Sequence, residues 1–119
     1  MTTRELLTMT TVDRYPLRQQ MEEATDLDGF KELALYLNVQ DVSNGGSTLD
    51  VDVWHSARNR AADYFSLAKF GNVTSAYSSW AYVSANTTAF MRFLRVEAAW
   101  RTGNTTTTAN VEVLVVPKS

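Results

Sequence analysis

Hydrophobic and polar residues alternate along two stretches near the centre of the chain. Apolar residues stand at every second position there: Leu33, Leu35, Leu37 and Val39 in the first stretch, and Leu49, Val51 and Val53 in the second. A period of two is typical of a β-strand with one buried face. Residues 41–48 lie between the stretches and include Asn44, Gly45 and Gly46, which tolerate positive φ. The pattern therefore predicts a β-hairpin.

The second half of the chain predicts further strands. Residues 64–70 and 78–84 are short and rich in aromatic residues, which favour strands. Residues 89–100 place Leu94, Val96, Ala98 and Trp100 on one face of a strand, although a helix is an alternative for this segment. A Gly-Asn turn at residues 103–104 leads to a final strand, which favours a second hairpin. The inward residues of that strand are Ala109, Val111, Val113 and Val115.

Six to eight short strands at this spacing predict an all-β fold, an antiparallel β-sandwich with a jelly-roll-like arrangement. We place this domain at residues 30–119. Residues 56–63 predict a polar loop, or one helical turn capped by Ser56. The predicted core consists of Leu33, Leu35, Leu37, Val51, Val53, Leu94, Val96, Val111 and Val113.

Residues 1–29 differ from the rest of the chain because their apolar residues are few and irregularly spaced. They predict an N-terminal arm whose order depends on what it packs against. The alternative is a short edge strand followed by a surface loop. If the arm interpretation holds, its apolar side chains contact a partner protein, and the candidates are Leu6, Leu7, Met9, Tyr15 and Met21.

The composition narrows the classes of protein that remain. The chain has 119 residues, 45% of them hydrophobic, which suits one domain with one core. It has no cysteine, so disulfides and thiolate metal sites are excluded. A net charge of −2 provides no basic surface for nucleic acid. The first residues lack the features of a secretory signal, and no stretch is apolar enough to span a membrane. We therefore expect a protein made in the cytoplasm that binds neither nucleic acid nor membrane.

No set of residues in the sequence spells out a reaction. His55 is the only histidine, and its position in the alternation indicates a partly buried residue rather than a catalytic base. Asp50 and Asp52 share one strand face and suit either calcium or glycoside chemistry, but a solvated strand face is the simpler interpretation. We expect a protein that is not an enzyme, with no metal site and no cofactor.

Aromatic residues are the better candidates for binding. Trp54 falls on the polar side of its strand, so it is a candidate interface residue, with a lone surface aromatic as the alternative. Trp80 and Tyr82 lie in another predicted strand, and Tyr82 is a further candidate contact. Exposed aromatic rings of this kind also suit sugar binding.

Two parts of the chain resemble small structural proteins from the head gene clusters of tailed phages. Residues 30–43 match an L-x-L-x-V strand of that group, residues 48–53 match its T-L-D-V-x-V strand, and Ser56 follows. Residues 93–96 look like its later R-V strand. The resemblance covers residues 30–56 and 89–116.

The resemblance implies a β-sandwich on a capsid or virion surface, present as a symmetric cluster. From it we expect a capsid decoration protein, or head accessory protein, located in the virion. Its partners would be the major capsid protein or another virion protein, and further copies of itself in a trimer. The alternatives are a carbohydrate-binding β-sandwich module and an accessory domain of a phage tail or receptor-binding protein.

Overall fold

The computed structural model describes residues 4–27, 30, 32–84 and 92–118. These residues form nine strands and two 3-10 turns, and they contain no α-helix. The strands are β1 Arg4–Val12, β2 Leu17–Arg18, β3 Thr25–Asp26, β4 Glu32–Ser43, β5 Leu49–Ser56, β6 Phe65–Val73, β7 Tyr77–Ser84, β8 Phe93–Trp100 and β9 Thr108–Lys118. The 3-10 turns are Met21–Glu23 and Ala61–Asp63. No helix capable of crossing a membrane is found in the described part of the chain.

The strands form two antiparallel sheets that pack face to face. Sheet A has the order β1-β9-β4-β7, and sheet B has the order β2-β8-β5-β6 with β3 also paired to β8. This is the antiparallel β-sandwich that the alternation predicts. Residues 93–100 are a strand, so the helical alternative for this segment is excluded.

The core lies between the two sheets and contains the residues that alternation assigned to it. All nine predicted core residues are buried in one cluster, and Leu35, Leu37, Val51 and Val53 have no exposed surface. Trp100 belongs to the same cluster. Inward and outward faces are therefore correctly predicted for the long strands, because a strand with one buried face must alternate.

Both predicted hairpins are wrong, although the turns are in the predicted places. Gly45 and Gly46 have φ of 52° and 80°, as the Gly-rich turn requires. The turn nevertheless crosses from sheet A to sheet B, since β4 pairs with β7 and β9 while β5 pairs with β6 and β8. The β8–β9 connection crosses in the same way. In this arrangement the apolar face of each strand is covered by the opposite sheet.

The N-terminal segment is part of both sheets rather than an arm. β1 pairs with β9 in sheet A, and β2 and β3 pair with β8 in sheet B. Register shifts in β1 on both sides of Leu7 break the period of two that the sequence would otherwise show. The segment is anchored by buried Leu6, Leu7, Val12 and Leu27.

Replacing Leu35 by alanine should lower the free energy of unfolding by about 2–5 kcal/mol, because a fully buried side chain leaves a cavity. Urea denaturation measures the change. Leu114→Ala, at a half-buried position on β9, is the matched control and should cost well under half as much. Equal losses at the two sites would contradict the assignment of strand faces.

Candidate functional site

The outer face of sheet B is covered by paired charges and hydrogen bonds. Arg101 Nε donates to Asp50 Oδ2 at 2.9 Å, and this interaction holds the pKa of the Asp50 carboxyl below its usual value. Asp52 Oδ1 accepts a hydrogen bond from Ser66 Oγ at 2.7 Å. The two aspartates therefore belong to a solvated strand face. Among the described residues, no group of three histidine or acidic side chains could hold a metal ion.

Trp54 lies on this outer face of sheet B, half-buried under two arginines. The guanidinium carbons of Arg18 and Arg95 lie 5.7 and 5.5 Å from the Trp54 ring centroid, within the range of a cation–π interaction. Arg95 is only 4% exposed, and its guanidinium also lies 4.0 Å from the Tyr64 ring. Trp54 thus points away from the core as predicted, but its ring is already engaged within the domain.

Gln19 connects the cluster around Trp54 and Arg95 to sheet A. Its side-chain Nε2 donates to the backbone oxygen of Leu6 at 2.7 Å, and its Oε1 accepts from the backbone N–H of Val96 at 2.8 Å. Its own backbone oxygen accepts from Arg95 Nη1 at 2.9 Å. One buried glutamine therefore links β1 of sheet A to β8 of sheet B.

Replacing Gln19 by alanine should destabilise the fold by roughly 1–3 kcal/mol, because buried backbone groups of Leu6 and Val96 lose their side-chain partner. Thermal or urea unfolding measures the loss. Gln40→Ala, at an exposed position on β4, is the control and should change stability by less than about 0.5 kcal/mol. A Gln19 variant as stable as the control would show that the Gln19 hydrogen bonds contribute nothing to the free energy of unfolding.

His55 is buried near the C-terminal end of β5, as its place in the alternation predicts. In the register it lies between Leu94 of β8 and Phe65 of β6. Burial lowers the pKa of its imidazole below the usual 6.5, because an apolar environment disfavours the charged form. Burial therefore favours the neutral form of His55 in the folded protein.

The free energy of unfolding should fall as the pH drops below about 6.5, by up to about 1.4 kcal/mol per pH unit. In that range the unfolded chain binds a proton at His55 more readily than the folded protein does. Urea denaturation between pH 7.5 and 5 measures the slope. Since His55 is the only histidine, His55→Gln should flatten this pH dependence. An unchanged slope in the variant would assign the dependence to other groups.

The outer face of sheet A has a different character. Four outward-facing apolar residues of β4 and β9 are adjacent there: Ala34, Tyr36, Leu114 and Val116, which together we name the apolar patch. Tyr36 lies directly across from Leu114, and Ala34 from Val116. Tyr36 is 39% exposed, and the other three are partly exposed. In the neighbouring strand β7, the backbone of Trp80 is in register with Tyr36 and that of Tyr82 with Ala34.

Three glutamates surround the apolar patch. Glu5 lies across from Leu114 on β1, Glu112 is two residues from Leu114 on β9, and Glu32 is two residues from Ala34 on β4. Within the part of the chain that the structure describes, none of them is in an ion pair with a lysine or arginine side chain. The patch is thus apolar at its centre, and its margin holds these three glutamates together with Lys118, which lies across from Glu32.

The residues that the sequence suggested for partner binding do not form one surface. Leu6 and Leu7 are 4% and 8% exposed and belong to the core, so they are unavailable to a partner, and that prediction is wrong. Met9 and Tyr15 are exposed, and Met21 is half-buried. The side chain of Tyr82 lies outside what the structure describes.

The apolar patch was missed by sequence analysis, yet the chain contains a signal for it. Residues 113–116 are four consecutive apolar residues, Val-Leu-Val-Val, and so break the alternation of β9. A strand with both faces apolar is either covered on both sides or exposes an apolar surface. The pairing of β9 with β4 at the centre of sheet A brings this second face next to Tyr36.

Comparisons with solved structures identify the same architecture elsewhere, whereas no protein-family model and no curated protein matches the chain. The PBSX exported protein XepA matches with a TM-score of 0.62 at 10% identity, over 99% of this chain and 37% of that one. The K1 cleaved adhesin domain of Lys-gingipain from Porphyromonas gingivalis W83 matches with a TM-score of 0.50 at 12% identity, over 81% of this chain and 60% of that one.

A further match is the structure of the CBM22-1–GH10 modules of xylanase 10B from Clostridium thermocellum, complexed with xylohexaose. The TM-score is 0.50 at 14% identity, over 97% of this chain and 28% of that one. The chain thus spans less than two thirds of each of these three proteins. At such identities the likeness shows the fold alone. That fold is the β-sandwich that the sequence predicts.

Proposed function

We propose that the protein is a non-enzymatic structural component of a phage virion that attaches to a larger virion protein, such as the major capsid protein, through the apolar patch. The observation that carries the proposal is the difference between the two sheet faces. Paired charges cover the outer face of sheet B, whereas the outer face of sheet A is apolar at its centre. Exposed apolar clusters with a polar margin are typical of protein interfaces.

The composition of the patch indicates how it would bind. Tyr36 supplies an aromatic ring near the centre, and Leu114 and Val116 supply aliphatic surface around it. Central aromatic residues frequently dominate the energy of an interface. The surrounding glutamates favour a partner with lysine or arginine at matching positions, because complementary charges guide association and set orientation.

A decoration role suits a patch of this kind. Each copy needs only moderate affinity, since a shell presents many equivalent sites and a symmetric cluster of copies engages several of them at once.

Replacing Tyr36 by alanine should weaken binding to shells assembled without the protein by roughly tenfold or more, the effect of losing a central aromatic side chain at an interface. Co-sedimentation with such shells measures the affinity. Phe65→Ala is the matched control: Phe65 is 62% exposed on β6 of the other sheet, and its loss should leave binding unchanged. Equal effects of the two substitutions would contradict attachment through the apolar patch.

Carbohydrate binding is the alternative, because Tyr36 offers an exposed aromatic ring on an open sheet face. Tryptophan fluorescence during titration with xylohexaose and other oligosaccharides tests it. If the fluorescence change saturates and the protein does not bind shells, a glycan-binding role replaces the structural role.

A further inference from the structure

Each sheet of the sandwich has two edges, and three of the four are poorly suited to pairing with another strand. On one edge of sheet B, β2 and β3 are only two residues long. On its other edge, β6 contains Lys69 and Gly71, and its pairing with β5 has two register shifts. In sheet A, β1 begins with Arg4 and Glu5 and has two register shifts against β9. Charges, irregular pairing and short length are the features that protect sheet edges.

The fourth edge, β7, lacks all of these features. Its eight residues pair with β4 in unbroken register from Glu32↔Ser84 to Val39↔Tyr77. Its sequence, Tyr-Ser-Ser-Trp-Ala-Tyr-Val-Ser, contains no charged residue, no proline and no glycine. Along its other side, no strand of the described residues pairs with it. A regular, uncharged edge of this length is a template for a further strand.

We propose that β7 pairs in antiparallel fashion with β7 of a second copy of the chain, across a twofold axis, so that the two copies of sheet A form one continuous eight-stranded sheet. The inference concerns an edge rather than the apolar patch, and it goes beyond the proposed function. A monomer could attach to a shell, and a dimer could form without one.

The absence of charge on β7 favours a second copy over a foreign strand. Self-pairing places each residue against a residue of the same strand, so a charged strand would meet its own charges, whereas β7 meets none. Selection of a foreign partner generally relies on a charge pattern or on side-chain pockets. A twofold interface needs only that one surface be complementary to itself.

The proposed interface is small, which determines how it must be tested. Eight residues of strand edge cover less than the roughly 800 Å² per partner of a standard stable interface. The dimer is therefore expected to form in a concentration-dependent manner. Analytical ultracentrifugation across a concentration series should show the mass rising from 13.3 kDa towards twice that value. A mass that stays at one chain, or that rises to three chains, would overturn the proposal.

A cysteine scan tests the pairing itself, because the natural chain has no cysteine to interfere. Single cysteines are placed at each position of Tyr77–Ser84, and the dimer is oxidised. In an antiparallel twofold pair, residues at the centre lie about 5 Å from their copies, a distance that a disulfide spans. Residues at the two ends lie about 24 Å from theirs, seven residues of strand rise away.

Disulfide-linked dimers should therefore be confined to one or two neighbouring positions within β7. Met9→Cys on β1 and Phe65→Cys on β6 are exposed controls on other edges and should give little cross-linked product. Tyr36→Ala should leave the cross-linking pattern unchanged even if it weakens attachment to shells, which separates this proposal from the proposed function. Uniform cross-linking along β7, or cross-linking of the controls to the same extent, would show random collision and overturn the pairing.

Discussion

The segment between β1 and β2 closes one side of the sandwich, and Gln19 is the residue that holds it there. β1 belongs to sheet A and β2 to sheet B, so the chain must cross from one sheet to the other at this point. The crossing residues 13–16 are exposed to solvent, and the chain becomes buried again at Gln19, where an unpaired polar group would be costly. Gln19 satisfies groups of both sheets at once, and Arg95 bonds to its backbone oxygen. Leu6, whose backbone oxygen accepts one of these hydrogen bonds, is buried together with Leu7 and Val12.

The same crossing explains why the two outer faces differ. Residues 17–20 run beside β8 and bring Arg18 over Trp54 and into an ion pair with Glu97. Arg95 is buried beneath this segment even though it lies on the outer face of its strand. Sheet B is therefore partly covered by the chain itself. No described segment covers the centre of sheet A in this way, and Tyr36 of the apolar patch remains 39% exposed.

The apolar patch and the β7 edge belong to the same sheet, so the two proposals are related in geometry. In the proposed pair, two patches would lie on one continuous surface, related by the twofold axis. Two linked weak sites bind a repeating surface much more strongly than either one alone. Modest patches and a small dimer interface would then suffice for attachment to a shell, without a deep pocket or a large interface.

The sequence by itself determined the β class, the inward faces of the long strands and the burial of His55. These follow from a period of two, which is a local property of each strand. Tertiary packing decided the rest. The turns at residues 44–47 and 101–107 join strands of different sheets because each apolar face needs a cover from the other sheet, and no local signal states which strand provides it. Register shifts in β1 break the period of two, so the sequence pattern did not show that Leu6 and Leu7 are buried. The apolar patch forms only because β9 pairs with β4. This pairing places Leu114 beside Tyr36, although the two residues are far apart in the chain.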